Sequence, residues 1–556
     1  MRIAASIWTV GIFASVFGAC SAGGSSSPSA GGGSGGAVGD DSGPGGFDAT
    51  LDTSSGGSGG GGIIPDPETC DQAANSHTYV GCDFYPTVTD NIVRPDFDFA
   101  VVVANTGNVE AQVTVTRGGA PAATATVPPN GLAKVYLPWV EELKSLSWIP
   151  GQPDNGCATW VKTKTVDAKG GAYHLTSTRP VAVYQFNAIE YAGKGGPPGK
   201  DWTPCEQKKC LALGVQCFSY TNDASLLLPV TALSGNYRIG GAPYWTDSED
   251  PSSSFTYPPY FAVTGTRDGT VVTVHTSATG GIAAGGGVPA TPGGGTASFP
   301  IDAGEVVMVV GTATSDFSGT LLNATAPVQV ITGIACTNMP HETAACDHLE
   351  ESVLPVETLG QHYFVAAPTG PDGNPATQVV RLFGNVDGTQ LTYPGANPGG
   401  PAVINAGEMI DLGPVSQNFE IVGDHELTVA TFLVGAGPMS GPRKGDPSQS
   451  FVTTVEQYRL KYVFLAPDDY DVSYADVIQP LTAEVTVDGA PSGVTPTELS
   501  SGYGIARVKL GPGNAGAHVL EATAPVGIQV IGYGDYTSYQ YPGGLNLGFI
   551  APPPVK

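Results

Sequence analysis

The stretch Leu321 to Pro368 reads LLNATAPVQVITGIACTNMPHETAACDHLEESVLPVETLGQHYFVAAP, and its two ends recur elsewhere in the chain. It opens on a strand-like phrase, Ala326-Pro327-Val328-Gln329-Val330, and closes on a Leu-Pro-Val phrase leading into Gly360, Tyr363 and Phe364. The first phrase returns at Arg179 to Val183, Glu426 to Val429 and Ala524 to Ile528. The second returns as SLLLPVTALSGNYRI from Ser225 and, without its proline, as SFVTTVEQYRLKYVF from Ser450. Equating Pro180, Pro327, Glu426 and Pro525 gives steps of 147, 99 and 99 residues. A third marker, a turn before a β-rich phrase, falls at Gly131, Gly304, Gly407 and Gly502. Self-similarity at a fixed period is the signature of a repeat architecture, and a period of about 100 residues suits a small β domain.

Between these markers the residues alternate as half-buried antiparallel strands do. Phe97, Phe99, Val101 and Val103 precede an Asn105-Thr106-Gly107 turn, followed by Ala111, Val113 and Val115. FAVTGTRDGTVVTVHT from Phe261 and VVRLFGNVDGTQLTY from Val379 have the same form, with Asp268-Gly269 and Asp387-Gly388 as hairpin turns. Helical periodicity is confined to Trp139 to Leu146. The expected fold is all-β: tandem antiparallel modules of about 100 residues, sandwich-like, with a propeller-like arrangement as the alternative. The modules read as residues 67–224, 225–349, 350–447 and 448–556. The first carries a Cys-rich insertion between Glu190 and Asn222, and a Gly/Pro-rich loop runs from Ala278 to Gly295.

Residues 1–20 read as an export signal: Arg2, an apolar run from Ile3 to Phe17, then Gly18-Ala19-Cys20. Small residues before a cysteine resemble a lipoprotein processing site, so Cys20 is the expected lipidated N-terminus, and Ser21 after it points to the outer membrane. Residues 21–66, almost all Gly, Ser, Asp and Pro, read as a disordered tether. Ser34 and Ser58 sit there in G-x-S-x-G strings that lack the strand and helix a nucleophile elbow requires. The net charge of −27, from 50 acidic and 23 basic residues, argues against nucleic acid and anionic membrane surfaces as partners.

Eight cysteines remain: Cys70, Cys82, Cys157, Cys205, Cys210, Cys217, Cys336 and Cys346. An even count in an exported chain implies disulfides. Local closure favours Cys70 with Cys82 and Cys336 with Cys346, leaving the other four to pair among themselves.

Signals for chemistry are sparse. His341, Glu342, Cys346, Asp347 and His348 are the best metal candidates, but their spacing is not H-E-x-x-H and they lie beside cysteines expected to be oxidised. Asp468, Asp469 and Asp471 lack the glycine and distal glutamate of a calcium loop. His275 sits in an alternating strand. No catalytic residue, cofactor site or metal site is assigned.

The phrase CDHLEESVLPVETLGQHYF, with Cys346, Asp347, His348, Leu349, Glu351, Pro355, Gly360 and Tyr363, resembles the IgGFc-binding protein N-terminal domain family. Leu227, Leu228, Pro229, Tyr237 and the Pro-Val phrases support the likeness over roughly residues 95–535. The resemblance implies an extracellular binding or matrix domain without catalytic residues, here in a bacterial secreted or lipoprotein form, in which Asp347, His348, Pro355, Gly360 and Tyr363 serve the scaffold. The expected function is a lipid-anchored cell-surface binding or adhesion protein whose partner is an extracellular protein or glycan. The alternatives are a structural envelope or matrix protein and a secreted carbohydrate-active hydrolase.

Overall fold

Four times along the chain, eight strand segments recur in the same order and pair in the same way, two of them merged into one long strand in the first and fourth repeats. The computed structural model describes residues 66–147, 159–160, 163–206, 217–247, 255–343, 346–436, 444–467, 470–513 and 516–554. Cys20, Ser34, Ser58, Cys157, Cys210, Asp468 and Asp469 lie outside them, and everything below concerns the unit Gly61–Lys556. Helix is limited among the described residues. Cys70–Ser76 and Thr203–Glu206 are α-helical, and Glu141–Leu143 forms a single 3-10 turn within the stretch that carries the helical periodicity.

The third repeat shows the plan. Its outer sheet has the order His362–Val365, Phe419–Gly423, Thr389–Thr392, Val403–Ile404, and its inner sheet Met409–Val415, Gln378–Gly384, Leu427–Leu433, Gln449–Phe451. The chain passes from outer to inner sheet between Gly423 and Leu427. In the first and fourth repeats that passage lies within one long strand, Tyr173–Asn187 and Ala517–Gly534. Pro180, Pro327, Glu426 and Pro525 all stand at this crossing, where a missing N–H breaks no ladder.

A tyrosine pins the crossing in three repeats. Tyr237, Tyr363 and Tyr462 face Leu322, Ile421 and Leu520 in equivalent registers, and Phe84 faces Leu175 in the first repeat. The hydroxyl of Tyr237 donates to the carbonyl of Val328 at 2.6 Å and accepts the Ser234 N–H at 3.2 Å. Tyr363 does the same with Leu427 and Gly360 at 2.5 and 3.3 Å, and Tyr462 with Val526 and Arg459. All three side chains are buried, so each hydroxyl satisfies two main-chain groups that water cannot reach.

Each repeat is a two-sheet sandwich, and the four inner sheets meet as blades. The innermost strands, Ala224–Leu227, Asp347–Ser352, Gln449–Phe451 and Thr537–Pro542, neighbour one another in a closed cycle. Apolar cores lie within repeats, as where Phe261 and Val263 meet Val272, Val274 and Phe299. They also lie between them: Val101 and Val103 with Tyr260 and Ile331, Ile334 and Leu349 with Phe383 and Phe432, Leu433 with Tyr474 and Ile531, Tyr184 and Phe186 with Tyr539 and Tyr541. The ring closes where the segment at His77 to Tyr79 pairs with Leu545 to Leu547: Tyr79 N–H to Leu545 O at 3.2 Å and Leu547 N–H to His77 O at 2.7 Å. The architecture is all-β, sandwich by repeat and propeller-like as a whole.

Replacing Tyr363 with Phe keeps the ring and removes the hydroxyl. The expected cost is about 1–3 kcal/mol in urea unfolding, the penalty for stranding buried polar groups; a change under about 0.5 kcal/mol would show that the corner is not needed.

Candidate functional site

The repeat topology brings four loops to one end of the axis, because each joins the inner-sheet segment after the crossing to an innermost strand. Their described parts are residues 188–206 and 217–223, 338–343 and 346, 434–436 and 444–448, and 535–536. Three of the four exceed a tight turn, and disulfides brace two: Cys205 is bonded to Cys217 and Cys336 to Cys346. Cys70–Cys82 staples the N-terminal helix to the first strand. The loops also hold one another. Gly435 N–H reaches Met339 O at 2.9 Å and Gly445 N–H reaches Gly534 O at 3.0 Å. The Lys444 ammonium pairs with Asp471 at 2.5 Å and Asp535 at 3.5 Å.

A file of aromatic rings descends from this end into the seam between the first and fourth blades. Tyr220 and Phe218 have centroids 5.5 Å apart, Phe218 stacks on Tyr191 at 5.6 Å, and Tyr191 meets Tyr470 at 5.1 Å. Tyr470 then meets Tyr539 at 4.9 Å and Tyr539 meets Tyr541 at 5.8 Å. The inner rings are buried, while Phe218 and Tyr220 remain partly exposed at the loop end. Tyr220 has φ +62°, a left-handed conformation uncommon outside glycine.

Beneath the loops the axis is polar and acidic. Asp223, just before the first innermost strand, accepts the hydroxyl of Ser448 at 2.6 Å and the N–H groups of Ala224, Glu350 and Gln449 at 2.9, 3.1 and 3.2 Å. Ser448 in turn accepts the Gln540 N–H at 2.8 Å. One carboxyl and one hydroxyl thus tie all four innermost strands. Burial drives the Asp223 pKa well above the usual carboxylate value, against the lowering effect of these donors.

Between the first two blades lies a second polar group. Glu350 accepts the Thr89 hydroxyl at 2.6 Å, the Asn187 amide at 2.5 Å and the Gln185 amide at 3.2 Å. Burial raises its pKa to about 7 even so. His348 lies 3.0 Å from the Tyr260 hydroxyl and is held neutral, burial depressing its pKa to about 3. Nearby, burial pushes Asp90 up to about 6 and Lys144 down to about 7.

The structure separates the histidine and acid cluster of the sequence. His348 and Asp347 are buried on the innermost strand, whereas His341 and Glu342 are exposed on the loop before it. Among the described residues no three His, Cys, Asp or Glu side chains stand at metal-ligand spacing. Asp471 is the anion of the Lys444 pair, and the exposed His275 lies 3.1 Å from the Thr296 hydroxyl. Pro355 precedes a 3-10 turn, and a Cβ at Gly360 would lie 2.1 Å from the Thr454 hydroxyl, so both serve the crossing beside Tyr363. Asp223, Asp347, Glu350, Glu351 and Asp446 are at most 1% exposed.

Because folding raises the Glu350 pKa, the unfolded chain releases its proton first as pH rises, and stability is lost between pH 4.5 and 7. Glu350→Gln is expected to gain on the wild type by about 1.4 kcal/mol per pH unit across that window, measured by urea unfolding. A constant offset would contradict this.

Comparison with known proteins gives the chain a family. The family model described as "IgGFc binding protein" matches residues 223–532, which run from the axial Asp223 to the seam of the fourth blade. The human protein named IgGFc-binding protein is 25% identical over 228 residues, 40% of this chain. The chain spans only 4% of that relative's length. No solved structure matches. With more than half of its residues covered by the family model, the chain belongs to the IgGFc-binding protein family.

Proposed function

We propose that the chain is an extracellular binding protein, displayed at the cell surface through a lipid on Cys20, that engages a protein or glycan with the loop-bearing end of its ring. The observation that carries this reading is the convergence, at one end of the axis, of the described parts of the loops that lead into Ala224, Asp347 and Gln449, two of them disulfide-braced. Loops positioned by a rigid scaffold are where recognition concentrates, and disulfides accord with an oxidising, extracellular setting. Phe218 and Tyr220 offer rigid aromatic area at the rim, beside the Lys444, Asp471 and Asp535 charges. The human relative's name refers to IgG Fc; for this chain IgG Fc is one member of the partner panel.

A soluble form starting near Pro67, screened against immobilised glycans and extracellular proteins including IgG Fc, is expected to retain at least one ligand. Phe218→Ala with Tyr220→Ala should weaken that binding at least tenfold without lowering the melting temperature by more than a few degrees. Unchanged binding in the double variant would move the recognition face elsewhere. No binding, with loss of surface integrity on gene deletion, would favour the matrix role.

A further inference from the structure

Counted back from the paired positions of the innermost strands, one sequence position carries an oxygen-bearing side chain in every blade: it is the first strand residue in the second and fourth blades and lies three residues ahead of the strand in the first and third. Pairing along the long strands aligns Leu226 with Ser352, Phe451 and Pro542, since their partners are Tyr184, Ile331, Ala430 and Gln529. Five residues earlier stand Thr221, Asp347, Asp446 and Thr537. They are 5, 0, 1 and 0% exposed, at the end of the axis where the loops converge.

Three of these four side chains carry an oxygen with no hydrogen-bond partner: Thr221 Oγ1, Asp347 Oδ2 and Asp446 Oδ1. The fourth, Thr537, makes one long hydrogen bond to Asn222 Oδ1 at 3.4 Å. The two carboxyls come from consecutive blades and repel each other through the Asp347–Asp446 interaction, to which Asp223 adds. Beside Asp347, His348 is neutral, and Lys444, two residues from Asp446, spends its charge on Asp471 and Asp535. Two buried carboxylates without a counter-charge cost several kcal/mol per ion; a divalent cation between them removes that cost.

We propose that the ring of Thr221, Asp347, Asp446 and Thr537 binds a calcium ion on the pseudo-fourfold axis, beneath the recognition loops. Two carboxylates balance the ionic charge. The remaining ligands are uncharged oxygens, the two threonine hydroxyls first, and Ca2+ accepts such a set where Zn2+ prefers nitrogen and sulfur. The site would fasten the first, second, third and fourth blades at the level where their loops emerge. The proposal needs no partner molecule and stands apart from the recognition reading.

The test uses the full chain, stripped with chelator and titrated with CaCl2, MgCl2 or TbCl3. Ca2+ is expected to raise the melting temperature by several degrees, Mg2+ to do so far less, and Tb3+ to gain luminescence sensitised by nearby tyrosines. Asp347→Asn should weaken Ca2+ at least tenfold, and Thr221→Val, which leaves both carboxyls in place, should weaken it several-fold. No Ca2+-dependent shift in the wild type, or a shift undiminished in both variants, would overturn the proposal. A melting temperature that follows pH alone would identify Asp347 and Asp446 as carboxyls sharing a proton, which overturns it equally. If Asp347→Asn fails to fold, the wild-type titration and Thr221→Val decide.

Discussion

Everything in this fold hangs on the contact of Asp223 and Ser448 at the axis. Segments separated by 92 to 226 residues must meet there, and backbone groups at the meeting point have no ladder partner across blades. The Asp223 carboxyl takes N–H groups from the second and third blades, and Ser448 takes one from the fourth. Unsatisfied, each of those buried amides would cost on the order of 1–3 kcal/mol. The tie works because the four repeats present the same edge at the same height, which the tyrosine corners of the second, third and fourth repeats support by fixing where the chain changes sheets.

That much of the fold was legible because repeat spacing survives divergence in individual side chains. The proline at the crossing is replaced by Glu426 in the third repeat, and the corner tyrosine by Phe84 in the first, yet the register is kept. Strand alternation located the strands, but the hairpins expected at the Asp-Gly turns do not form: Pro259–Gly265 and Thr270–His275, like Gln378–Gly384 and Thr389–Thr392, pair in different sheets, so each turn carries the chain from inner to outer sheet. What local pattern cannot convey is how sandwiches are arranged. Ring closure depends on His77 to Tyr79 reaching Leu545 to Leu547 across nearly the whole chain, and nothing in either segment's composition announces the other.

The candidate site was less legible. Histidines drew attention because they are rare and chemically versatile, but His348 is a buried, neutral partner of Tyr260, and His341 lies apart from it. The informative residues were the acids that stand just before the apolar phrases: Asp223 before ASLLLPV, Asp347 before HLEESVLPV, Asp446 before PSQSFVTTV. A carboxyl at the mouth of a buried strand is costly to ionise there, and one stands at the start of the innermost strand in three of the four repeats. The aromatic file is invisible for a different reason: its rings come from residues 191, 218, 220, 470, 539 and 541, which only ring closure brings together.

Membership in the IgGFc-binding protein family, loops gathered at one end and disulfide bracing describe a scaffold built to present surface outside the cell. The central physical claim is that residues 61–556 close into one ring rather than hanging as separate beads. Small-angle scattering of that fragment measures it directly. A closed ring of this length has a radius of gyration of roughly 23 Å, and a value above roughly 30 Å, as for four tandem domains in a row, would contradict the account.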